Sequence, residues 1–116
     1  MQYLLVIFDD PSAHATETPE ARAAITAEYF ALTGELREKG VYLGGNALEP
    51  VTTATTIRVR AGKRLVIDGP FAESKEHLVG YFLIEATDLD QAIGVAARIP
   101  GARTGAIEVR PIRRFD

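Results

Sequence analysis

Apolar and polar positions along this chain follow two rhythms, one of strand type and one of helix type. From Tyr3 to Phe8 every residue is apolar or aromatic, a run of strand length that stops at Asp9-Asp10-Pro11-Ser12. Thr18-Pro19-Glu20 then reads as a helix start, with a capping hydroxyl, proline at the first helical position and an acid near the positive helix end. Ala21, Ile25, Tyr29, Leu32 and Leu36 follow at spacings of four, four, three and four, one face of an amphipathic helix that ends at Gly40. Val41 to Leu43 resumes strand character and meets a break at Gly44-Gly45-Asn46.

The middle of the chain predicts a hairpin. Thr55 to Arg60 and Arg64 to Asp68 flank Gly62, and a turn centred there pairs Ile57 with Ile67, Val59 with Leu65 and Thr56 with Asp68. Tyr81 to Ala86 is the next strand. Asp88-Leu89-Asp90-Gln91 has capping-box spacing and opens a second helix, whose buried face is expected from Leu89, Ala92, Ile93 and Ala96 and whose stop is Pro100-Gly101. Ala106 to Ile112 is the last strand. The order strand–helix–strand, hairpin, strand–helix–strand predicts one α+β domain over residues 1–116, a ferredoxin-like sandwich with an inserted β-hairpin.

The first strand is apolar on both faces, with Leu4, Val6 and Phe8 opposed to Tyr3, Leu5 and Ile7. The strand at 81–86 repeats the pattern. Two helices cover one face of such a sheet, so the other face is expected to meet a second copy in a symmetric homodimer. Glu85, Glu108 and Arg110 fall at polar positions of these strands, as rim ion pairs or as the lining of a cleft for a small polar ligand.

Composition narrows the field. Hydrophobic residues at 47% and charged residues at 25% exclude disorder. A net charge of −3, with basic residues clustered only at Arg110, Arg113 and Arg114, argues against direct nucleic-acid binding. The absence of cysteine excludes disulfides, zinc–thiolate sites and thiol nucleophiles. The apolar N-terminal run lacks a basic leader, and no stretch approaches the ~20 apolar residues of a membrane span. A cytoplasmic protein is the expectation.

Candidate chemistry centres on Asp68, at the end of a strand and followed by the stiff corner Gly69-Pro70-Phe71. It is either a general base or ligand contact with Thr56 as neighbour, or a turn residue whose carboxylate accepts backbone N–H bonds. His77, nine residues on, is the better of the two histidines for proton transfer, and His14 lies in a polar stretch. Tyr29 is either core or a phenol reaching into a cavity. Phe71, Tyr81, Glu85 and Arg110 complete the expected ligand contacts. No metal-ligand spacing, phosphate loop, dinucleotide fingerprint or nucleophile elbow is present, and no cofactor is expected.

Asp68-Gly69-Pro70-Phe71-Ala72-Glu73, Gly80-Tyr81-Phe82-Leu83-Ile84-Glu85, Asp88-Leu89-Asp90-Gln91-Ala92, Ala96-Ala97-Arg98-Ile99-Pro100 and Glu108-Val109-Arg110-Pro111 together resemble the YCII-related family, in its Asp-Gly-Pro-Phe subgroup. Glu35-Leu36-Arg37 leading to Gly40-Val41 fits as well. The resemblance spans essentially the full length and implies a dimeric α+β barrel. It also implies a histidine–aspartate pair in a cleft, but the place of that histidine falls near Tyr29, where this chain has none. Lyase or isomerase chemistry among similar folds implies one role, using Asp68 with His77. Similarity to domains found beside sigma factors implies another, a non-catalytic regulatory or interaction module.

Overall fold

A computed structural model describes residues 1–115. The elements run β1 (Gln2–Asp9), α1 (Pro19–Glu38), β2 (Tyr42–Ala47), β3 (Thr55–Arg60), β4 (Lys63–Asp68), β5 (His77–Glu85), α2 (Leu89–Arg98) and β6 (Ala106–Pro111). Short 3-10 turns at Pro11–His14, Val51–Thr53 and Pro100–Arg103 join them. Four strands form an antiparallel sheet in the order β2-β5-β1-β6, the ferredoxin-like arrangement. β3 and β4 pair only with each other, as a two-stranded arm.

Alternation decides which side chains enter the core. Tyr3, Leu5 and Ile7 of β1, with Phe82 and Ile84 of β5, point under the helices. Leu32 and Leu36 of α1 and Ala92, Val95 and Ala96 of α2 close over them, with Ile99. Leu5, Ile84 and Ile99 are fully buried, each contributing roughly 1.5–3 kcal/mol by removal from water. Both helices start as the sequence dictates. The Thr18 hydroxyl accepts from Ala21 N and the Asp88 carboxylate from Gln91 N, while the Gln91 amide oxygen accepts from Thr87 N.

The structure departs from the sequence expectations in four places. Ala61 and Gly62 both have positive φ, so the arm closes through a two-residue turn that matches strand twist. The register is accordingly one residue from the expected one: Ile57 faces Val66, Val59 faces Arg64, and Asp68 faces Thr55. Neither face of the arm is buried, so no core selects a register by side-chain type. β5 begins at His77, placing that histidine on a strand rather than in a loop. In α2, Leu89 and Ile93 are exposed and Val95 takes their place in the core.

The fourth departure shapes the site. Gly44-Gly45-Asn46 continues β2 instead of breaking it. A Cβ on Gly45 would lie 2.6 Å from the Tyr81 carbonyl oxygen and 2.7 Å from the Tyr42 hydroxyl, so only glycine fits beneath the Tyr42 ring. Gly45→Ala is therefore expected to destabilise the protein by about 2–3 kcal/mol, because a backbone carbonyl has nowhere to move. Urea denaturation of the two proteins side by side measures this, and equal midpoints would show that β2 yields at no cost.

Candidate functional site

α1 is held to the sheet at one end only. Leu32 and Leu36 are buried, Ile25 and Tyr29 are half-buried, and Ala21 and Phe30 are exposed. Along the face from Ile25 to Arg37 the helix does not pack closely against β2 and β5, whose Gly45 and Gly80 lie below. The result is a cavity of about 1040 Å³, at the upper end of the range for small-molecule sites. Its apolar lining includes Ile7, Ile25, Phe30, Val79 and Phe82, and the loop after β2 closes one side through Leu48 to Thr52.

One wall is a connected series of rings. Tyr29 meets Phe82 edge-on at 6.3 Å, and Tyr42 meets the same Phe82 edge-on at 5.3 Å. The Arg37 guanidinium caps the series, 5.0 Å above the Tyr42 ring. The Tyr29 hydroxyl accepts a 3.1 Å hydrogen bond from Gly101 N and donates to no protein acceptor among the described residues. Burial pushes its phenol up, outweighing the Gly101 bond that pulls the other way. Tyr29 is thus a protonated donor at the cavity wall.

Polar chemistry gathers at the other end. The 3-10 turn at Pro11–His14 is capped by Asp10, whose carboxylate accepts from the Ser12 hydroxyl and Ser12 N and is held below the usual carboxylate range by those bonds. The turn swings His14 back over the end of β1. Its Nδ1 lies 2.7 Å from Glu17 Oε2 and its Nε2 lies 2.7 Å from Asp9 Oδ2. Thr104 donates to the same Asp9 oxygen at 3.2 Å. The bonds to Glu17 and then Asp9 raise the His14 pKa above its ordinary 6.5. With both ring nitrogens facing carboxylates, the favoured species is an imidazolium donating in two directions. Proton exchange with a ligand requires one of those bonds to be traded. Among the described residues, no group of three or more His, Cys, Asp or Glu is placed to hold a metal ion.

The expected site residues fall in three places. Tyr29 and His77 both line the cavity, His77 standing opposite Asp9 in the β1–β5 register. Tyr81, Glu85 and Arg110 lie on the opposite face of the sheet. There the Tyr81 hydroxyl accepts from Asn46, Glu85 accepts from the N-terminal ammonium, and Arg110 donates to Glu108 at 3.3 Å. Asp68 and Phe71 belong to the foot of the arm and do not line the cavity. Gly69 has φ 105°, which suits glycine, and its N–H donates to Ala54 O while its carbonyl accepts from Thr56. Phe71 is 73% exposed beneath the Arg58 guanidinium.

His14, Asp9, Arg37 and Tyr42 were not expected at the site. A signal for the first pair exists in the spacing Asp9, His14, Glu17 across an Asp10-Pro11-Ser12 turn, which brings acid, imidazole and acid together. Because the His14 pKa is raised on folding, its contribution to stability is complete below about pH 6.5 and is lost as pH rises through the folded value. The stability gap between the wild type and His14→Gln is therefore expected to be widest in mildly acidic buffer and to close in alkali. Chemical denaturation across that range, with an NMR titration of the imidazole, reports it; a gap independent of pH would mean that the imidazolium bonds add nothing.

The YCII-related domain matches residues 1–116 of the chain. Uncharacterized protein R00369 from Rhizobium meliloti (strain 1021) is 35% identical over 117 residues, covering 99% of this chain and 94% of its own length. Among solved structures, the fold is similar to that of 5-chloro-2-hydroxyhydroquinone dehydrochlorinase from Burkholderia phenoliruptrix AC1100, in complex with 2,5-dihydroxybenzoquinone. That likeness has a TM-score of 0.57 and 15% identity, over 99% of this chain and 96% of the other. On the full-length match and the 35% identical relative, the chain belongs to the YCII-related domain family.

Proposed function

We propose that the protein is a cytoplasmic, homodimeric small-molecule-binding protein whose ligand lies along α1, in the cavity between that helix and the sheet. The cavity carries this reading: it is large, mostly apolar, and provided with a few convergent polar groups, His14, Asp9, His77 and the Tyr29 hydroxyl. A structural neighbour that binds a small quinone is in keeping with such a role, as an analogy of fold. Asp68 acts as a turn residue in this reading, and His77 contacts the ligand.

The homodimer rests on the uncovered sheet face, where Leu4, Val6, Phe8, Tyr81 and Leu83 are half-buried with no helix over them. Glu85, Glu108 and Arg110 form the polar rim of that face. A second reading, an interaction module, draws on the arm, where Ile57, Val59, Val66, Ile67 and Phe71 are all more than half exposed. In that second reading Phe71 seals the dimer.

Two outcomes are expected. Light scattering gives a dimer for the wild type at micromolar concentration and a folded monomer for Val6→Arg, since a central charge in an apolar interface costs several kcal/mol; a wild-type monomer sinks the dimer. In a fragment screen followed by amide chemical shifts, hits perturb Val79 and Phe82, Ile25→Trp fills the cavity and removes the binding, and Asp68→Asn leaves it unchanged. Hits that lose affinity in Asp68→Asn and not in Ile25→Trp would move the site to the arm.

A further inference from the structure

Ile25, Tyr29, Thr33 and Arg37 lie one turn apart on α1 and all line the cavity. At 1.5 Å per residue, the groove beneath them spans about 18 Å. Its ends differ chemically. One holds the carboxylate-bound His14, and the other holds Arg37.

Arg37 has no carboxylate partner among the described residues. Of the carboxylates close to it in sequence, Glu35 is already taken by Arg98 at 2.5 Å and Lys39 at 3.3 Å. Arg37 instead rests on the Tyr42 ring, which is itself held edge-on by Phe82. With its guanidinium carbon 5.0 Å from the ring centroid, Arg37 is held by a cation–π contact that uses none of its N–H donors, which stay available to a planar bidentate acceptor. Below it runs the Tyr42–Phe82–Tyr29 wall, and Phe30, 74% exposed, stands at the cavity lining with no core contact to explain it. Among the cavity's carboxylates, Asp9 is engaged by His14 and Thr104, which leaves Glu49 as the single like charge without such a partner among the described residues.

Resting on the reading of this cavity as a ligand site, we propose that the ligand is an aromatic or otherwise flat organic acid. Its carboxylate pairs with Arg37 in two hydrogen bonds, its ring lies against the aromatic wall, and a hydroxyl or carbonyl further along it takes the Tyr29 proton in a hydrogen bond. Arg37 is then the residue that sets specificity for acids over their neutral analogues.

The probes are benzoate, 4-hydroxybenzoate and trans-cinnamate, each against its neutral amide, with binding read by amide chemical shifts on the intact protein. Acids are expected to bind about tenfold more tightly than the amides, the gain of a charge-assisted pair over a neutral one. Arg37→Gln abolishes that preference without changing amide binding, and Arg37→Lys, which keeps the charge and loses the planar fork, restores part of it. Glu49→Gln leaves acid binding equal or tighter. Amides binding as well as acids, or an acid preference that survives Arg37→Gln, overturns the proposal and leaves the cavity reading standing. Perturbations that avoid Val79 and Phe82 for acids and amides alike overturn both.

Discussion

The arrangement depends on where α1 is pinned. Leu32 and Leu36 fix its C-terminal half to the sheet, and polar contacts from Glu28 to Glu35 tie the helix to the opposite end of the fold. Glu35 reaches Arg98, Glu28 meets Arg103 through two bonds of 2.6 and 3.3 Å, and Tyr29 holds Gly101 N. Arg98, and then Lys39, lower the Glu35 pKa to about 2. These ion pairs are exposed and individually weak, so they set direction more than stability. These contacts fix one face of the helix, and the neighbouring face, with Ile25, Tyr29, Thr33 and Arg37, lines the cavity.

That space persists because the sheet offers nothing to fill it. Gly45 and Gly80, opposite Phe82 and Ala47 in the β2–β5 register, bring no side chain into it, and the rings of Tyr42, Phe82 and Tyr29 brace one another edge-on along one wall. Charged side chains then cap both ends. His14, drawn by two carboxylates, holds the turn at Pro11–His14 over the end of β1, while Arg37 sits over the Tyr42 ring. Apolar walls with charged ends suit a ligand that has a ring and an acid group, and suit a strongly hydrated polar molecule less well.

How much of this is legible in the chain differs by element. Strands and helices are read well, since the unbroken apolar run of Tyr3 to Phe8 and the i, i+3 and i+4 spacing of Ile25, Tyr29, Leu32 and Leu36 answer to local geometry. The register of the arm is not, because its pairing is set by the turn at Ala61-Gly62 while both faces remain in water. Gly44-Gly45-Asn46 reads as a turn by residue type, yet stays extended because Tyr42 needs the room above it. Leu89 and Ile93 look like core by spacing, but α2 is rotated so that Val95 and Ile99 take the buried positions.

By itself the sequence determined the α+β class, the order of elements, both helix caps and the two-faced strands, all consequences of local periodicity and capping chemistry. It also carried the family, through the Asp68-Gly69-Pro70-Phe71 corner and its surroundings. Only the tertiary structure decided the site. Asp68 and His77 are nine residues apart, yet the fold places one on the arm and the other in the cavity. Thr104 is far from Asp9 in sequence, yet it donates to the carboxylate oxygen that His14 also meets, because β1 and the turn before β6 end at the same edge. Side-chain convergence of this kind follows from how layers pack, a long-range outcome that no local pattern encodes.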